Sequence, residues 1–196
     1  MKKYLTISLV LGSIALVCAL ILAALNLLTK PIIDENSKKK QTETIQAIYE
    51  NYDESKSSVI YDVSNGSTGK KEEIEKIIEA KNSSDEILGY IYTVKGTNQY
   101  GTIELMVAIS PNNVVHQVEF LENGQSFAST VASWVKQTFV NKGTTKHEAG
   151  FTTDVTPGSE LSIDEVSNVD VKCTATYGAT TVRNLVEIAL SDKEAA

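Results

Sequence analysis

The residues from Tyr4 to Thr29 contain no charged side chain, and this apolar run most constrains what the chain can fold into. A helix needs about 20 apolar residues to cross the hydrocarbon core of a bilayer, and the run is longer than that. The sequence therefore predicts a membrane-spanning helix within residues 1–30. A cleaved signal peptide is the alternative, but its apolar region is usually only about 7–15 residues long and ends at a small-x-small site.

Lysines flank the apolar run on both sides, with Lys2 and Lys3 before it and Lys30 after it. The bias of positive charge is slight, so the orientation depends partly on the short N-terminal tail, which we expect to stay in the cytoplasm. The chain is thus predicted to be a single-pass protein of the cell membrane, with its bulk outside the cytoplasm.

The part of the chain beyond the apolar run is acidic. The whole sequence carries a net charge of −7, and its first thirty residues contain three lysines and no acid. Nucleic-acid binding requires lysine and arginine to neutralise phosphates, so this charge balance argues against a nucleic-acid partner.

The cysteines and histidines exclude several kinds of site. Cys18 lies in the apolar run, where Val17 replaces the small residue that a lipoprotein signal requires, and only Cys173 lies outside the run. A disulfide within the domain and a cysteine-rich metal site are therefore excluded. His116 and His147 are far apart in the sequence without ligand spacing, so no metal site is predicted.

Strand signals dominate the centre of the chain. β-Branched and aromatic residues, bounded by Gly, Pro and Asn, fill three successive runs at 86–96, 101–111 and 113–124. This pattern predicts three antiparallel strands. Val59–Val63 is predicted as a short strand, and residues 163–175 as another.

Apolar residues at helical spacing recur in four other segments. The predicted helices are residues 31–56, a juxtamembrane helix or linker (Ile45, Ile48 and Tyr49); 70–82 (Ile74, Ile77 and Ile78); 126–143 (Phe127, Val131, Trp134, Val135 and Phe139, with Gly143 as the stop); and the final helix (Val182, Leu185, Val186, Ala189 and Leu190).

Together these elements predict an α+β fold. Residues 1–30 are expected to form the tail and transmembrane helix, 31–56 the juxtamembrane segment, 57–192 one antiparallel-sheet domain with flanking helices, and 193–196 a tail. The last residues, Ser191–Ala196, are expected to fray.

A turn-forming stretch, "YGATT", leads into the final helix at Tyr177–Thr181. The first N–H groups of a helix lack partners within the helix and favour an anion. Gly178 permits unusual backbone angles, Ala179 leaves the approach open, and Thr180 or Thr181 presents a hydroxyl. The stretch suits a phosphate beside a threonine oxygen. Alternatively, Thr181 is an ordinary N-cap that needs no ligand.

Several segments, in order, resemble one family of membrane redox proteins. They are "LNLLTKPIIDEN" after a single span, "LGYIYTVKG" and "GTIELMVAISPNNVVHQVEFLENG" in the centre, and "YGATT" near the end. From about Lys2 to Leu190 the chain resembles the FMN-binding G subunit of Rnf electron-transport complexes. That subunit is a relative of the C subunit of the sodium-translocating NADH:quinone oxidoreductase.

This resemblance implies a covalently bound cofactor. In the family, a flavin transferase joins FMN through a phosphoester to the last threonine of a Ser/Thr-Gly-Ala-Thr motif, which corresponds here to Thr180. Gly178 and Ala179 would form the turn, and Tyr177 and Thr181 would flank the attachment site. The cofactor would supply one-electron chemistry, while the protein would supply the tether and the orientation.

The chain differs from the family pattern in three places. Tyr177 replaces the Ser or Thr before the glycine, and Thr174 replaces an Asp. The family's Glu-Thr-Pro-Gly-Leu-Gly segment appears only as "ENGQSF", Glu122–Phe127. Tyr177 either stacks on a flavin ring or fills the place where the ring would lie.

Two functions remain from the sequence. The first is an electron-transfer subunit of a redox-driven, ion-translocating complex, with no catalytic residues of its own, whose partners are other integral membrane subunits. The second is a cofactor-free scaffold or binding module of the same fold. The absence of a GxSxG motif argues against a hydrolase. Small residues of the span favour close approach of a partner helix, or simply face lipid: Gly12, Ser13, Ala15 and Ala19.

Overall fold

The computed structural model describes residues 2–139, 161–169, 171 and 174–195. The helices among these residues are α1 (Lys2–Ile48), α2 (Ala128–Phe139), α3 (Ile163–Ser167) and α4 (Thr176–Glu194), and a short 3-10 helix spans Val63–Asn65. The strands are β1 (Ser58–Asp62), β2 (Ile74–Lys81), β3 (Ile87–Asn98), β4 (Gly101–Ile109) and β5 (Val115–Asn123). Gly143, His147 and Cys173 lie outside the described residues.

The chain divides into two compact units, Met1–Glu43 and Thr44–Ala196. In the first unit, the large apolar side chains from Leu9 to Leu28 are exposed, and the length and composition of α1 are compatible with a single-pass membrane anchor. The helix continues through Pro31, so the predicted span and the predicted juxtamembrane helix form one element.

The second unit is built on an antiparallel sheet. Among the described residues the sheet has five strands in the order β1-β2-β3-β4-β5, and each strand pairs with its neighbours in sequence. The α+β fold, the short strand near Val59 and the three central strands are therefore confirmed.

Helices and other apolar side chains cover the two faces of this sheet. α2, α3 and α4 contribute side chains to the larger core, in which Trp134, Val182 and Val186 are fully buried. Ile45 and Ile48 pack on the opposite face, against a second cluster that contains Ile91 and Met106. The apolar stripe predicted for the final helix is buried as expected.

The helix predicted over residues 70–82 is wrong, because this segment contains β2. Glu75 forms a bulge between the paired residues Ile74 and Lys76. Ile77 then faces the larger core and Ile78 the second cluster, so the strand is buried on both faces. A bulge combined with two-sided burial puts isoleucines at spacings of three and four, which resembles helical periodicity.

The strand predicted over residues 163–175 is also wrong, because Ile163–Ser167 is helical. A capping box starts this helix: the Glu165 carboxylate accepts hydrogen bonds from the backbone N–H and the hydroxyl of Ser162, each at 2.8 Å. Ser-x-x-Glu is a readable helix-start signal. The second member of this signal is Glu165, at the third position of the helix.

Two predicted details near the helix ends are corrected. Phe127 precedes α2 and is 59% exposed, so it is not part of the buried stripe of that helix. The tail predicted to fray remains helical to Glu194. Asp192 accounts for this order, because its carboxylate lies 2.9 Å from Lys70 Nζ and accepts a hydrogen bond from the buried Tyr92 hydroxyl.

Candidate functional site

The final helix begins earlier than the sequence suggests. α4 starts at Thr176 with Ala175 as its N-cap, so Thr180 and Thr181 lie inside the helix and neither caps it. Packing explains the difference, because Gly178 and Ala179 are already buried. Residue 175 has no side-chain oxygen to cap the helix, and the N–H groups of the first turn point back toward the residues that precede it.

The first turn of α4 forms one wall of a small aromatic cleft. The cleft encloses about 60 Å³. Its lining includes Thr174, at the position where the family resemblance implies an Asp, together with Tyr100, Gln125, Phe127, Val131, Tyr177 and Gly178. Tyr100, Phe127 and Tyr177 form its rim and are 43%, 59% and 60% exposed. The rings of Tyr100 and Tyr177 have centroids 5.6 Å apart and are tilted by 54°. This distance is within the range of attractive aromatic pairs.

Gly178 is needed for close packing rather than for an unusual backbone angle. It lies within α4, and a β-carbon there would lie 2.7 Å from Val131 Cγ2 and 3.3 Å from Gln125 Oε1. Ala179 faces the core with no exposed surface, so the prediction that it leaves the approach open is wrong. Both small residues bring the helix against its neighbours.

Tyr177 does not fill the cleft. Its side chain lies on the rim beside Tyr100, and Gln125 occupies the interior, where it is only 7% exposed. Gln125 Nε2 donates a hydrogen bond of 2.7 Å to the carbonyl oxygen of Gly101. The segment Glu122–Phe127 thus contributes Gln125 and Phe127 to the same cleft as Tyr177.

The two candidate threonines differ in how their hydroxyl groups are used. Thr181 Oγ1 donates to the carbonyl oxygen of Tyr177 at 2.9 Å and accepts a hydrogen bond of 2.9 Å from Asn98 Nδ2. Thr180 is half-buried, and its hydroxyl makes no hydrogen bond to any residue in the described part of the chain. Thr180 is therefore the threonine whose oxygen is available.

Thr180 has an aromatic and a basic neighbour on the surface of α4. Tyr177 lies three residues before it and Arg183 three residues after it, a spacing that places side chains side by side on a helix. Arg183 Nη1 donates to the carbonyl oxygen of Val169 at 3.2 Å. Arg183 Nε is buried and has no hydrogen-bond partner among the described residues. An anion attached at Thr180 would be close to this guanidinium.

A second, larger opening lies along another side of α4. Glu72, Glu73 and Glu75 line one side of it, Thr181, Asn184 and Leu185 line the other, and its volume is about 520 Å³. We call it the acidic groove. Lys95 also lines the groove, but its ammonium group lies 3.5 Å from the Glu75 carboxylate. Because the three carboxylates outnumber this one cation and the hydroxyl of Thr181 is engaged, the groove disfavours a phosphate.

The residues around Thr180 fit a flavin nucleotide held at the surface, but not one enclosed by protein. The cleft is much smaller than the roughly 300–1,000 Å³ of usual small-molecule sites. Its exposed rim offers three aromatic faces, and Arg183, three residues after Thr180 in α4, offers positive charge at the spacing of neighbouring side chains on a helix. A ring could rest on the rim while the phosphate stays at Thr180.

Sequence reasoning missed Asn98 and Tyr100, and it singled out Gln125 and Phe127 only as part of the segment Glu122–Phe127. Asn98 and Tyr100 come from the turn between β3 and β4, and Gln125 and Phe127 from the segment after β5. The Asn-x-x-Gly turn at Asn98–Gly101 was a readable hairpin signal. Nothing in the sequence indicated that this turn would lie against the first turns of α4.

Comparison with known proteins bears on α1 alone. No curated protein matches the chain. Residues 2–48 match the family model described as the RnfG N-terminal region, and this range coincides with α1 and includes none of the aromatic cleft. Over that region the chain is similar to RnfG, a membrane-anchored subunit of the Rnf type.

Proposed function

We propose that this chain is a membrane-anchored electron-transfer subunit of an Rnf-like, ion-translocating redox complex, and that FMN is joined to it by a phosphoester at Thr180. The similarity of residues 2–48 to the RnfG N-terminal region supports the class of subunit. The apolar length of α1 supports the anchor. The larger unit is proposed to lie outside the cytoplasm, and the partners to be other integral membrane subunits.

One observation carries the attachment site. Of the two adjacent threonines, Thr181 has its oxygen engaged by two hydrogen bonds, whereas Thr180 has no partner among the described residues. A modifying enzyme needs a hydroxyl group whose oxygen is not held by hydrogen bonds within the folded domain. Thr180 meets this requirement without breaking a contact of the folded domain, and the nearby Arg183 would offset the charge of the phosphate.

The chain's own residues would hold and orient the cofactor. FMN, when attached, supplies one-electron transfer through its isoalloxazine ring, a redox group that no side chain of the protein provides. Tyr177, Tyr100 and Phe127 would contact the ring, and the ring would remain open to solvent on its other side. An exposed ring suits a carrier that must receive electrons from one subunit and deliver them to another.

A cofactor-free scaffold is the second candidate. The small volume of the cleft and the replacement of the family's Ser or Thr by Tyr177 favour it. In that case the rim formed by Tyr100, Phe127 and Tyr177 would contact another protein directly, since exposed aromatic clusters are common at interfaces.

Co-expression of the full chain with a flavin transferase separates the two candidates. After denaturing electrophoresis, the wild-type band and Thr181→Ala should fluoresce under ultraviolet light, and Thr180→Ala should not. The Thr181→Ala variant is the matched control, because it removes the adjacent hydroxyl. A dark wild-type band alongside an authentic flavinylated control protein would favour the scaffold.

A further inference from the structure

Asn98 is the last residue of β3, and both ends of its side-chain amide are in use. Its Oδ1 accepts a hydrogen bond of 2.8 Å from the backbone N–H of Tyr100. Its Nδ2 donates to Thr181 Oγ1 at 2.9 Å. The amide thus joins the β3–β4 turn to the second turn of α4.

Thr181 links Asn98 by a further hydrogen bond to Tyr177, on the rim of the cleft. Its hydroxyl donates to the carbonyl oxygen of Tyr177 at 2.9 Å, so Asn98 is linked through Thr181 to the backbone of Tyr177. Asn98 Nδ2 itself lies 3.5 Å from that oxygen, too far for a strong bond. One side chain therefore fixes the backbone positions of both tyrosines whose rings pair across the rim.

The short reach of asparagine depends on a close approach of β3 and α4. Gly96 lies two residues earlier on the same face of β3, and a β-carbon there would be 3.3 Å from Leu185 and from the Thr181 methyl group. A glycine at this position lets the helix lie close to the strand. Asn98 can then bridge the remaining gap with a side chain of only four heavy atoms.

We propose that Asn98 is the positioning residue of the aromatic cleft: it holds Tyr100 and Tyr177 in one relative geometry, and through them it orients a flavin ring attached at Thr180. This inference rests on the proposed function. The faces of tyrosine rings are electron-rich and disfavour the reduced flavin ring, which is more electron-rich than the oxidised one. Tyrosines held against the flavin ring therefore lower the reduction potential of the cofactor. The same contact quenches the fluorescence of the flavin. Asn98 does not contact the reacting atoms.

Four variants of the full chain in detergent test the proposal. Asn98→Ala removes both hydrogen bonds, whereas Asn98→Asp keeps the acceptor for Tyr100 and loses the donor to Thr181. Thr181→Val removes the relay, and Thr181→Ser restores it. The matched control is Thr97→Val, which removes the hydrogen bond of 3.1 Å between Thr97 and Thr102 on the opposite face of the same hairpin.

The readouts are the near-ultraviolet circular dichroism of the unmodified protein, and the flavin fluorescence and midpoint potential of the flavinylated protein. Asn98→Ala and Thr181→Val should lose part of the tyrosine dichroism, gain flavin fluorescence and shift the midpoint potential upward. Asn98→Asp should fall between these variants and wild type. Thr181→Ser and Thr97→Val should match wild type.

Two outcomes would overturn the inference. The first is a flavinylated Asn98→Ala protein with wild-type fluorescence and potential. The second is a Thr97→Val protein that changes as much as Asn98→Ala, since this would indicate a general loosening of the hairpin. A wild-type chain that takes up no flavin would contradict the proposed function instead, and the dichroism of the unmodified variants would still decide whether Asn98 orders the tyrosine pair.

Discussion

The Cγ2 atom of Val131 lies 2.7 Å from the place that a β-carbon on Gly178 would occupy. This contact joins α2 to the first turn of α4 at the wall of the aromatic cleft. It explains why glycine stands at a helical position where alanine would ordinarily be favoured by about 1 kcal/mol.

Gly178→Ala is therefore expected to destabilise the protein. Overpacking usually costs about 1–3 kcal/mol, and the better helix propensity of alanine offsets part of this, so we expect a net loss of about 1–2 kcal/mol in the free energy of unfolding. Chemical denaturation measures it. In a Val131→Ala background the same substitution should cost less, because the clashing methyl group is gone. A stabilised Gly178→Ala protein would contradict the packing.

Gly89→Ala is expected to destabilise the protein, and removal of the Tyr49 hydroxyl is not expected to restore the stability. A β-carbon at Gly89 would collide with the Tyr49 hydroxyl and would lie 2.6 Å from the carbonyl oxygen of Ile109. The second atom belongs to the backbone of β4, so the paired strands must separate. We expect a loss of about 1–3 kcal/mol that persists in a Tyr49→Phe background. Full rescue by Tyr49→Phe would refute the role of the Ile109 carbonyl.

The Tyr92 hydroxyl should make the stability fall at alkaline pH. Burial, reinforced by the negative charge of Asp192, raises the pKa of Tyr92 above its usual value of 10.0. The pKa of this hydroxyl is higher in the folded state than in the unfolded state. The protonated hydroxyl therefore makes its full contribution to the free energy of unfolding below pH 10, and this contribution is lost as the pH rises further. The unfolding free energy of wild type should therefore fall relative to Tyr92→Phe by up to about 1.4 kcal/mol per pH unit. Parallel curves for the two proteins above pH 10 would contradict this.

Tyr177→Ser should change the cofactor environment with little effect on folding. The tyrosine side chain is 60% exposed, and its main ring contact is Tyr100, so the free energy of unfolding should change by less than about 1 kcal/mol. In the flavinylated protein, fluorescence should rise because one stacking face is lost. Val63→Ser is a matched control, since Val63 is also exposed at 50% but lies in the short 3-10 helix away from the cleft. Unchanged fluorescence in Tyr177→Ser would mean that the ring does not rest on this rim.

Whether a segment could be predicted from the sequence depends on how regularly its apolar residues alternate between buried and exposed positions. The central strands were predictable because their apolar residues are β-branched or aromatic and their ends carry turn residues. β2 was not, because a bulge at Glu75 and burial of Ile77 and Ile78 on opposite faces disturb the period of two. The start of α3 was readable from Ser162 and Glu165, although the β-branched residues that follow suggested a strand.

The site was only partly predictable for a different reason. The sequence singled out the stretch Tyr177–Thr181, part of which borders the aromatic cleft, and the resemblance to a family singled out Thr180 within it. The sequence did not indicate that α4 begins four residues before Thr180, because that start depends on burial of Gly178 and Ala179 against distant segments. For the same reason Asn98 could not be connected with the site before its long-range contact with Thr181 was known.

The most direct test of the central claim is the intact mass of the full chain after co-expression with a flavin transferase, followed by fragmentation of the peptide that contains Tyr177–Thr181. We predict an increment equal to FMN less one water, localised to Thr180, present in Thr181→Ala and absent from Thr180→Ala. An unmodified wild-type mass under conditions that flavinylate a control protein, or an increment that survives in Thr180→Ala, would contradict the claim.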